Sequence, residues 1–175
     1  MSATEREMLD RLNVRYGKTY RNGAYVGRQF SRAEHVHNTS GTNLLPGDKR
    51  IADYIAVDSF QSRELTAFET FRDRPRSIHG HEIKVSRADW LAELRDPSKA
   101  DAWIRHCHYW WLVAPADVVR DDLPYGWGLM VPHGKSLRVA VQATRGDVEP
   151  MTTSTVAALL RATIKTEVAN AVIAL

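Results

Sequence analysis

The stretch from His79 to Leu91 reads HGHEIKVSRADWL and contains a change from one type of secondary structure to another. Apolar and polar residues alternate toward Val85, which is the pattern of a strand. Ser86 and Asp89 then have the spacing of a helix capping box, and apolar residues follow at helical spacing. The sequence therefore predicts a strand from His79 to Val85 that leads directly into a helix.

Three charged residues stand out because each lies within an otherwise apolar strand. Glu82 and Lys84 are two positions apart, so they project from the same face of their strand. Asp53 lies within a second predicted strand, residues 51–57. An ionised side chain in such a setting is unfavourable unless it is paired or bound to a metal. If the two strands pair, two carboxylates and one ammonium converge.

Two explanations account for this group of charges. Neighbouring carboxylates repel each other, and a divalent cation with a preference for oxygen ligands removes the repulsion. Magnesium or manganese is the ion expected at such a site. The alternative is a buried ion pair, Lys84 with Glu82 or with Asp53, that only fixes the register of the strands.

The other elements predict an α/β fold with a mixed sheet in a single domain, residues 1–175. Two helices in tandem are expected to cover the sheet, and the run 109–114 is expected to form a strand buried at its centre. Residues 65–71 are compatible with a strand or a short helix. The remaining predictions are a first helix from Thr4 to about Gly17, a second tandem helix from Asp96, a hairpin of 126–131 with 137–142, and a final helix from about 152.

The composition is that of an ordinary globular protein. Hydrophobic residues make up 43% and charged residues 26% of the 175 residues, which excludes collagen-like, coiled-coil and wholly disordered chains. The first residues lack an apolar segment, and the most apolar stretch, 155–175, is interrupted by charges, so neither a signal peptide nor a membrane span is expected. Cys107 is the only cysteine, and a cytoplasmic location is predicted.

A cluster of basic residues lies between positions 15 and 32. The net charge of the chain is only +3, but this segment holds five cations and no acidic residue, interleaved with aromatic residues and glycines. Such a mixture suits phosphate contacts and base stacking, although a solvated loop has the same composition. We predict a basic, loop-rich insertion at about 17–50, whose candidate DNA contacts are Arg15, Lys18, Arg21, Arg28 and Arg32.

The order of these motifs resembles that of the PD-(D/E)XK nuclease superfamily. An aspartate, Asp53, is followed on the next strand by Glu82-Ile83-Lys84, and then by a helix and a buried strand. The stretches 79–91, 109–115 and 126–130 are similar to the MmcB-type DNA repair proteins of bacteria and their phages. The resemblance implies a restriction-endonuclease-like mixed sheet flanked by helices, and a Mg²⁺- or Mn²⁺-dependent enzyme that hydrolyses DNA in repair or phage DNA processing.

The resemblance also implies roles for particular residues. Asp53 and Glu82 would bind the metal, with the carbonyl of Ile83 as a further ligand, and Lys84 would orient the attacking water and stabilise the transition state. Many relatives carry another acidic residue on the first helix. Here Glu5, Glu7 and Glu34 are candidates, of which Glu7 is taken as the additional acidic residue, and Arg87 is a further candidate DNA contact.

Other readings of the sequence differ in function or in substrate. A non-catalytic DNA-binding module on the same fold would retain the basic segment, and a nuclease acting on RNA would differ only in substrate. The histidines occur in pairs, but none has the spacing of a zinc site, so structural roles are expected for them. The five tryptophans are expected to pack in the core. No phosphate-binding loop and no serine-hydrolase elbow occurs in the sequence.

Overall fold

The structure is a computed structural model that describes residues 3–17, 19–21, 24–27, 30–38, 50–59, 76–96 and 98–173. The described elements include four helices and eight strands. The helices are α1 (Glu5–Gly17), α2 (Arg87–Arg95), α3 (Ser98–Ile104) and α4 (Thr153–Ile173). The strands are β1 (Thr19–Arg21), β2 (Ala24–Gly27), β3 (Phe30–His37), β4 (Ile51–Asp58), β5 (Ile78–Ile83), β6 (Tyr109–Val113), β7 (Gly128–His133) and β8 (Ser136–Val141).

Six strands form one mixed sheet in the order β3-β4-β5-β6-β7-β8. The middle strand β4 pairs antiparallel with both β3 and β5, whereas β6 pairs parallel with both β5 and β7. The strands β7 and β8 form an antiparallel hairpin. The crossover from β5 to β6 contains α2 and α3, as a parallel connection requires. The predicted α/β fold with a mixed sheet is confirmed, and so are the tandem helices and the hairpin.

Two apolar layers enclose the sheet. On one face, α1 contributes Met8, Leu9 and Leu12 to a cluster that includes Met130. On the other face, the helices α2, α3 and α4 cover the sheet through separate clusters. The strand β6 supplies side chains to both faces, with four of its five residues buried. Its predicted position near the centre of the sheet is therefore confirmed.

The close packing of β5 against β6 depends on a glycine. A Cβ atom built on Gly80 would lie 2.2 Å from the ring of Trp110 and 2.8 Å from the sulfur of Cys107. Only a residue without a side chain permits this approach. Trp110 of β6 can therefore lie directly over β5, the strand at which the antiparallel and parallel halves of the sheet meet. The tryptophans Trp90, Trp103, Trp110 and Trp111 are all buried, as predicted.

Residues 17–50 differ from the predicted loop-rich insertion. Where the structure describes this segment, it contains β1 and β2, which form a two-stranded sheet, and β3, which pairs along β4. The prediction of a loop was wrong for β3 because its sequence, FSRAEHVH, has few apolar residues to mark a strand. Residues 39–49 and the predicted element at 65–71 lie outside the described residues.

Local capping signals place both helices that border the candidate site. In α1, the backbone N–H of Thr4 donates to the carboxylate of Glu7, and the N–H of Glu7 donates to the Thr4 hydroxyl. In α2, the hydroxyl of Ser86 accepts from the backbone N–H of Asp89. The reciprocal capping box is therefore confirmed in α1, and the N-cap role of Ser86 is confirmed in α2. Within the described residues, no helix is long and apolar enough to cross a membrane.

Candidate functional site

The pairing of β4 with β5 brings the two predicted carboxylates together. Tyr54 lies opposite His81, and continuing this antiparallel register by one residue places Asp53 opposite Glu82. The Asp53 carboxylate accepts a hydrogen bond of 2.8 Å from the backbone N–H of Ile83. This bond fixes one carboxylate oxygen and orients Asp53 along the end of β5.

Lys84 lies between two carboxylates. Its Nζ donates to Oε1 of Glu82 at 2.5 Å and lies 3.0 Å from Oε2 of Glu93, a residue of α2. Only 16% of the Lys84 side chain is exposed, and the two glutamate side chains are more deeply buried. The prediction that Glu82 and Lys84 share a face is confirmed. The ion pair is compatible both with a catalytic role and with a fixed strand register.

A pocket of about 310 Å³ opens beside this group, between the first turn of α1 and the helix α2. Its walls are mainly polar, and two strands supply its base. A pocket of this size and polarity can admit a hydrated ion or a phosphate group. Its lining residues are Glu5, Asp53, Ile83, Lys84, Val85, Asp89, Ala92 and Glu93.

The electrostatics of the site favour added positive charge. Burial raises the pKa of Asp53 to about 6, although the N–H of Ile83 and the charge of Lys84 oppose the shift. Burial and the neighbouring Asp53 charge raise the pKa of Glu82 to about 8, despite its contact with Lys84. Both carboxyls therefore bind protons more readily than usual. A bound cation would supply the positive charge that a proton otherwise supplies, and it would favour their ionised forms.

Glu5, and not Glu7, is the acidic residue of α1 that reaches the pocket. Ligand atoms of Glu5, His35 and Asp53 all lie within 4.8 Å of one another. Glu7 caps the backbone of Thr4 instead, so its selection as the additional acidic residue was wrong. Glu34 is held by Arg6 and Asn13 and is equally engaged elsewhere.

His35 has an unusual backbone conformation for a residue inside a strand. Its φ angle is +50°, in the left-handed region that residues other than glycine adopt only uncommonly, although asparagine, aspartate and histidine do so more often than the rest. The flanking pairs, Glu34 with Tyr54 and Val36 with Ala52, place His35 beside Asp53. His35, Asp53 and Glu82 thus form one row across three neighbouring strands.

The residues present fit a divalent cation. Asp53 has one carboxylate oxygen engaged by the Ile83 N–H, and the Glu82 oxygen Oε1 is engaged by Lys84. The second oxygen of each carboxylate is therefore the atom with capacity for a metal. Ile83 lines the pocket, and the role of its carbonyl as a ligand stays a prediction. A set of carboxylate and carbonyl oxygens suits Mg²⁺ or Mn²⁺.

The predicted DNA contacts do not form a single group. Arg15, exposed at the last turn of α1, donates to the carbonyl of Leu137 and lies over the ring of Tyr16. Arg87 forms an ion pair of 2.5 Å with Asp122 at the start of α2. Arg21 lies in β1, and its side chain is not described; Lys18 and Arg28 lie outside the described residues.

Arg32 has a structural role that contradicts the predicted phosphate contact. Its side chain is 6% exposed, and Nε donates to the Glu167 carboxylate of α4 at 2.9 Å. Its Nη1 also donates to the backbone carbonyl of Asn13 in α1. The guanidinium thus joins α1, β3 and α4 inside the protein. Charge counting along the sequence missed this role because the partner carboxylate is 135 residues away.

Glu93 is the site residue that sequence reasoning overlooked. It is 8% exposed, and its Oε1 has no hydrogen-bond partner among the described residues. A signal was present in the sequence: Glu93 follows the buried Trp90 by three positions, on the side of α2 where apolar residues are expected. A charged residue on the buried side of a helix is the same anomaly that drew attention to Asp53.

Comparisons with known proteins support the fold. No protein-family model matches the chain, and no curated protein matches it. The chain is similar in structure to SPO1766, a protein of unknown function from Silicibacter pomeroyi. The two have 15% sequence identity and a TM-score of 0.50 over 81% of this chain and 77% of that one. At this level of identity, the similarity extends to the α/β fold alone.

Proposed function

We propose that the protein is a metal-dependent nuclease that hydrolyses phosphodiester bonds of DNA, in repair or in phage DNA processing, in the cytoplasm. The observation that carries the proposal is the convergence of Asp53, Glu82 and Lys84 at the end of the β4–β5 pair, where Asp53 and Lys84 line a polar pocket and Glu82 contacts Lys84. Two buried carboxylates next to an ammonium do not by themselves stabilise the fold. A metal that assists phosphate hydrolysis would explain why these groups lie together.

Each of the three residues has a distinct task in this reaction. Asp53 and Glu82 would hold Mg²⁺ or Mn²⁺, with the Ile83 carbonyl beside them and Glu5 on the α1 side of the pocket. The bound metal would lower the pKa of its water and neutralise phosphate charge. Lys84 would orient the attacking water and stabilise the charge that develops on the phosphate oxygens.

The order of elements around the site supports the proposed family. The helix α1 precedes three antiparallel strands, β3 to β5, and α2 then leads through α3 to the parallel strand β6. Asp53 lies on the middle strand of the three, and the Glu82-Ile83-Lys84 motif ends the next strand. This succession suits the restriction-endonuclease-like arrangement that the PD-(D/E)XK resemblance implies.

The decisive experiment combines cleavage with metal binding. Purified protein is incubated with labelled single-stranded, duplex and branched DNA, and with RNA, in the presence and absence of Mn²⁺. We expect metal-dependent cleavage of DNA, and a loss of at least about 100-fold in Asp53→Asn, Glu82→Gln and Lys84→Ala. Calorimetry should show weakened Mn²⁺ binding in the two carboxylate variants and nearly normal binding in Lys84→Ala.

The control variant is Glu7→Gln, which removes a carboxylate of α1 that caps the helix and does not reach the pocket. Its cleavage should equal that of the wild type. Equal cleavage by the wild type and Asp53→Asn would refute the assignment. DNA binding without cleavage under every condition would instead identify a non-catalytic binding module, and cleavage of RNA alone would correct the substrate.

A further inference from the structure

The position of Lys84 raises a question that its contact with Glu82 does not answer. The ammonium lies 2.5 Å from Oε1 of Glu82, the residue proposed to hold the metal. A divalent cation on the second oxygen of Glu82 would weaken the attraction of that carboxylate for the ammonium and would repel the ammonium directly. A second anion in contact with Lys84 would offset this repulsion and keep the ammonium at the site.

Glu93 meets that need. Its Oε2 lies 3.0 Å from the Lys84 Nζ, and it belongs to α2 rather than to the strand that carries the metal-binding motif. The helix is fixed independently, since the indole N–H of Trp90 donates to Asp122 and Arg87 pairs with the same carboxylate. Glu93 can thus hold the ammonium without moving with Glu82.

The arrangement of charge supports the same role. Among the carboxylates of the described residues at this site, Glu82 and Glu93 form ion pairs with Lys84. With Glu82 bound to a divalent cation, Glu93 would be the remaining anion in contact with the ammonium. The buried Oε1 of Glu93 lacks a partner among the described residues. Placing an anion there therefore carries the desolvation penalty of one unsatisfied acceptor.

We propose that Glu93 is a positioning residue that keeps the Lys84 ammonium at the reacting phosphate when Glu82 is bound to the metal. This rests on the proposed nuclease function and deepens it. In this role Glu93 acts on the phosphate through Lys84, so its loss should lower kcat and leave KM for DNA nearly unchanged.

The variant that tests this is Glu93→Gln, which keeps the shape of the side chain and removes its charge. The matched control is Glu7→Gln, the same change at a carboxylate of α1 that caps its own helix and does not line the pocket. We expect kcat to fall about tenfold or more in Glu93→Gln and to stay within about twofold in Glu7→Gln, with the Mn²⁺ affinity of both retained. In a Lys84→Ala background, Glu93→Gln should have no further effect.

A readout without catalysis separates this proposal from the proposed function. In NMR spectra of the ¹⁵N-labelled protein, the ammonium signal of Lys84 should persist when Mg²⁺ is added to the wild type and disappear in Glu93→Gln. If that pattern is seen in a protein that cleaves nothing, the positioning role stands and the nuclease assignment fails. If the wild type cleaves DNA and Glu93→Gln matches Glu7→Gln in kcat and NMR signal, the positioning role is wrong and the nuclease assignment stands.

Folding of the variant is checked by circular dichroism. Should Glu93→Gln fail to fold, Glu93→Asp keeps the charge but withdraws it by one methylene group. It should lower kcat by a smaller factor with KM unchanged. A normal kcat in a folded Glu93→Asp, together with a Lys84 signal insensitive to Mg²⁺, would overturn the proposal.

Discussion

His81 and Glu82 are neighbours on β5, and both are buried, but they face opposite sides of the sheet. His81 is 0% exposed and lies under α1, where Nε2 is 3.0 Å from the Tyr16 hydroxyl and Nδ1 is 3.2 Å from the Tyr54 carbonyl. Burial holds its pKa well below the ordinary value, so the ring is neutral. Both ring nitrogens have partners, and the polar network around His81 is complete.

Glu82 has the opposite character. Its neighbour across the strand pair is another carboxylate, and its cation is shared with a second glutamate. The group of Asp53, Glu82, Glu93 and Lys84 contains three carboxylates and one ammonium, so its negative groups outnumber its positive one. Burial of a polar residue is therefore not itself a sign of function. The sign is a buried group whose charge the protein leaves unbalanced.

The largest effect on stability is expected on the His81 side. His81→Ala leaves a cavity and removes the partner of the Tyr16 hydroxyl, so the free energy of unfolding should fall by about 3 kcal/mol. Urea denaturation measures the loss. The control is His37→Ala, at an exposed position of β3, which should change stability by less than about 0.5 kcal/mol. A neutral His81→Ala would mean that the network adds nothing.

The Glu82 side should show a smaller effect that depends on pH. The folded pKa of Glu82, about 8, lies above its ordinary value of 4.5, so the folded state binds the extra proton between these limits. Stability from this group is complete below pH 4.5 and is lost as the pH rises through 8. Without metal, Glu82→Gln should therefore unfold less easily than the wild type at pH 8, by about 2 kcal/mol.

Thermal unfolding at pH 5 and pH 8, with and without Mg²⁺, tests this prediction. Added Mg²⁺ should stabilise the wild type at pH 8 and have little effect on Glu82→Gln. The exposed Asp10 of α1 provides the control, because Asp10→Asn should keep the wild-type pH profile. If the wild type becomes more stable between pH 5 and 8 without metal, the attraction between Glu82 and Lys84 outweighs the burial of the Glu82 charge. Glu82 would then be as well balanced as His81, and the proposed difference between them would be wrong.

The smallest effect concerns His35, the strained residue beside Asp53. Its φ of +50° is costly for any residue with a Cβ and is accessible to glycine. We expect His35→Gly to be more stable than His35→Ala by about 1 kcal/mol, because both lack the imidazole and only alanine retains the strain. Equal stabilities in urea would show that the backbone relaxes freely. An equal loss of Mn²⁺ affinity in both variants would make the imidazole a ligand.

The parts of the molecule that could be predicted from sequence are those set by local signals. The capping boxes at Thr4 and Ser86 gave the starts of α1 and α2, and alternation gave β5 and the β7–β8 hairpin. The convergence of Asp53 with Glu82 was predicted only on the condition that their strands pair, and the antiparallel pairing of β4 with β5 meets that condition.

What could not be predicted depends on distant partners. The strand β3 buries Arg32 and half-buries Glu34, and it does so because Glu167 and Arg6 neutralise them from two different helices. No local pattern marks such a strand. In the same way, the choice of Glu5 over Glu7 depends on how α1 is oriented against the sheet, which is decided by contacts elsewhere in the chain.

The docking of α1 has a consequence for the growing polypeptide. Arg11 donates to the carbonyl of Gly134, and Arg15 donates to that of Leu137, 122 residues further along the chain. These bonds cannot form before the β7–β8 hairpin has left the ribosome. Glu5 would therefore take its position beside Asp53 late in synthesis, so the pocket is completed only after β8 has been made.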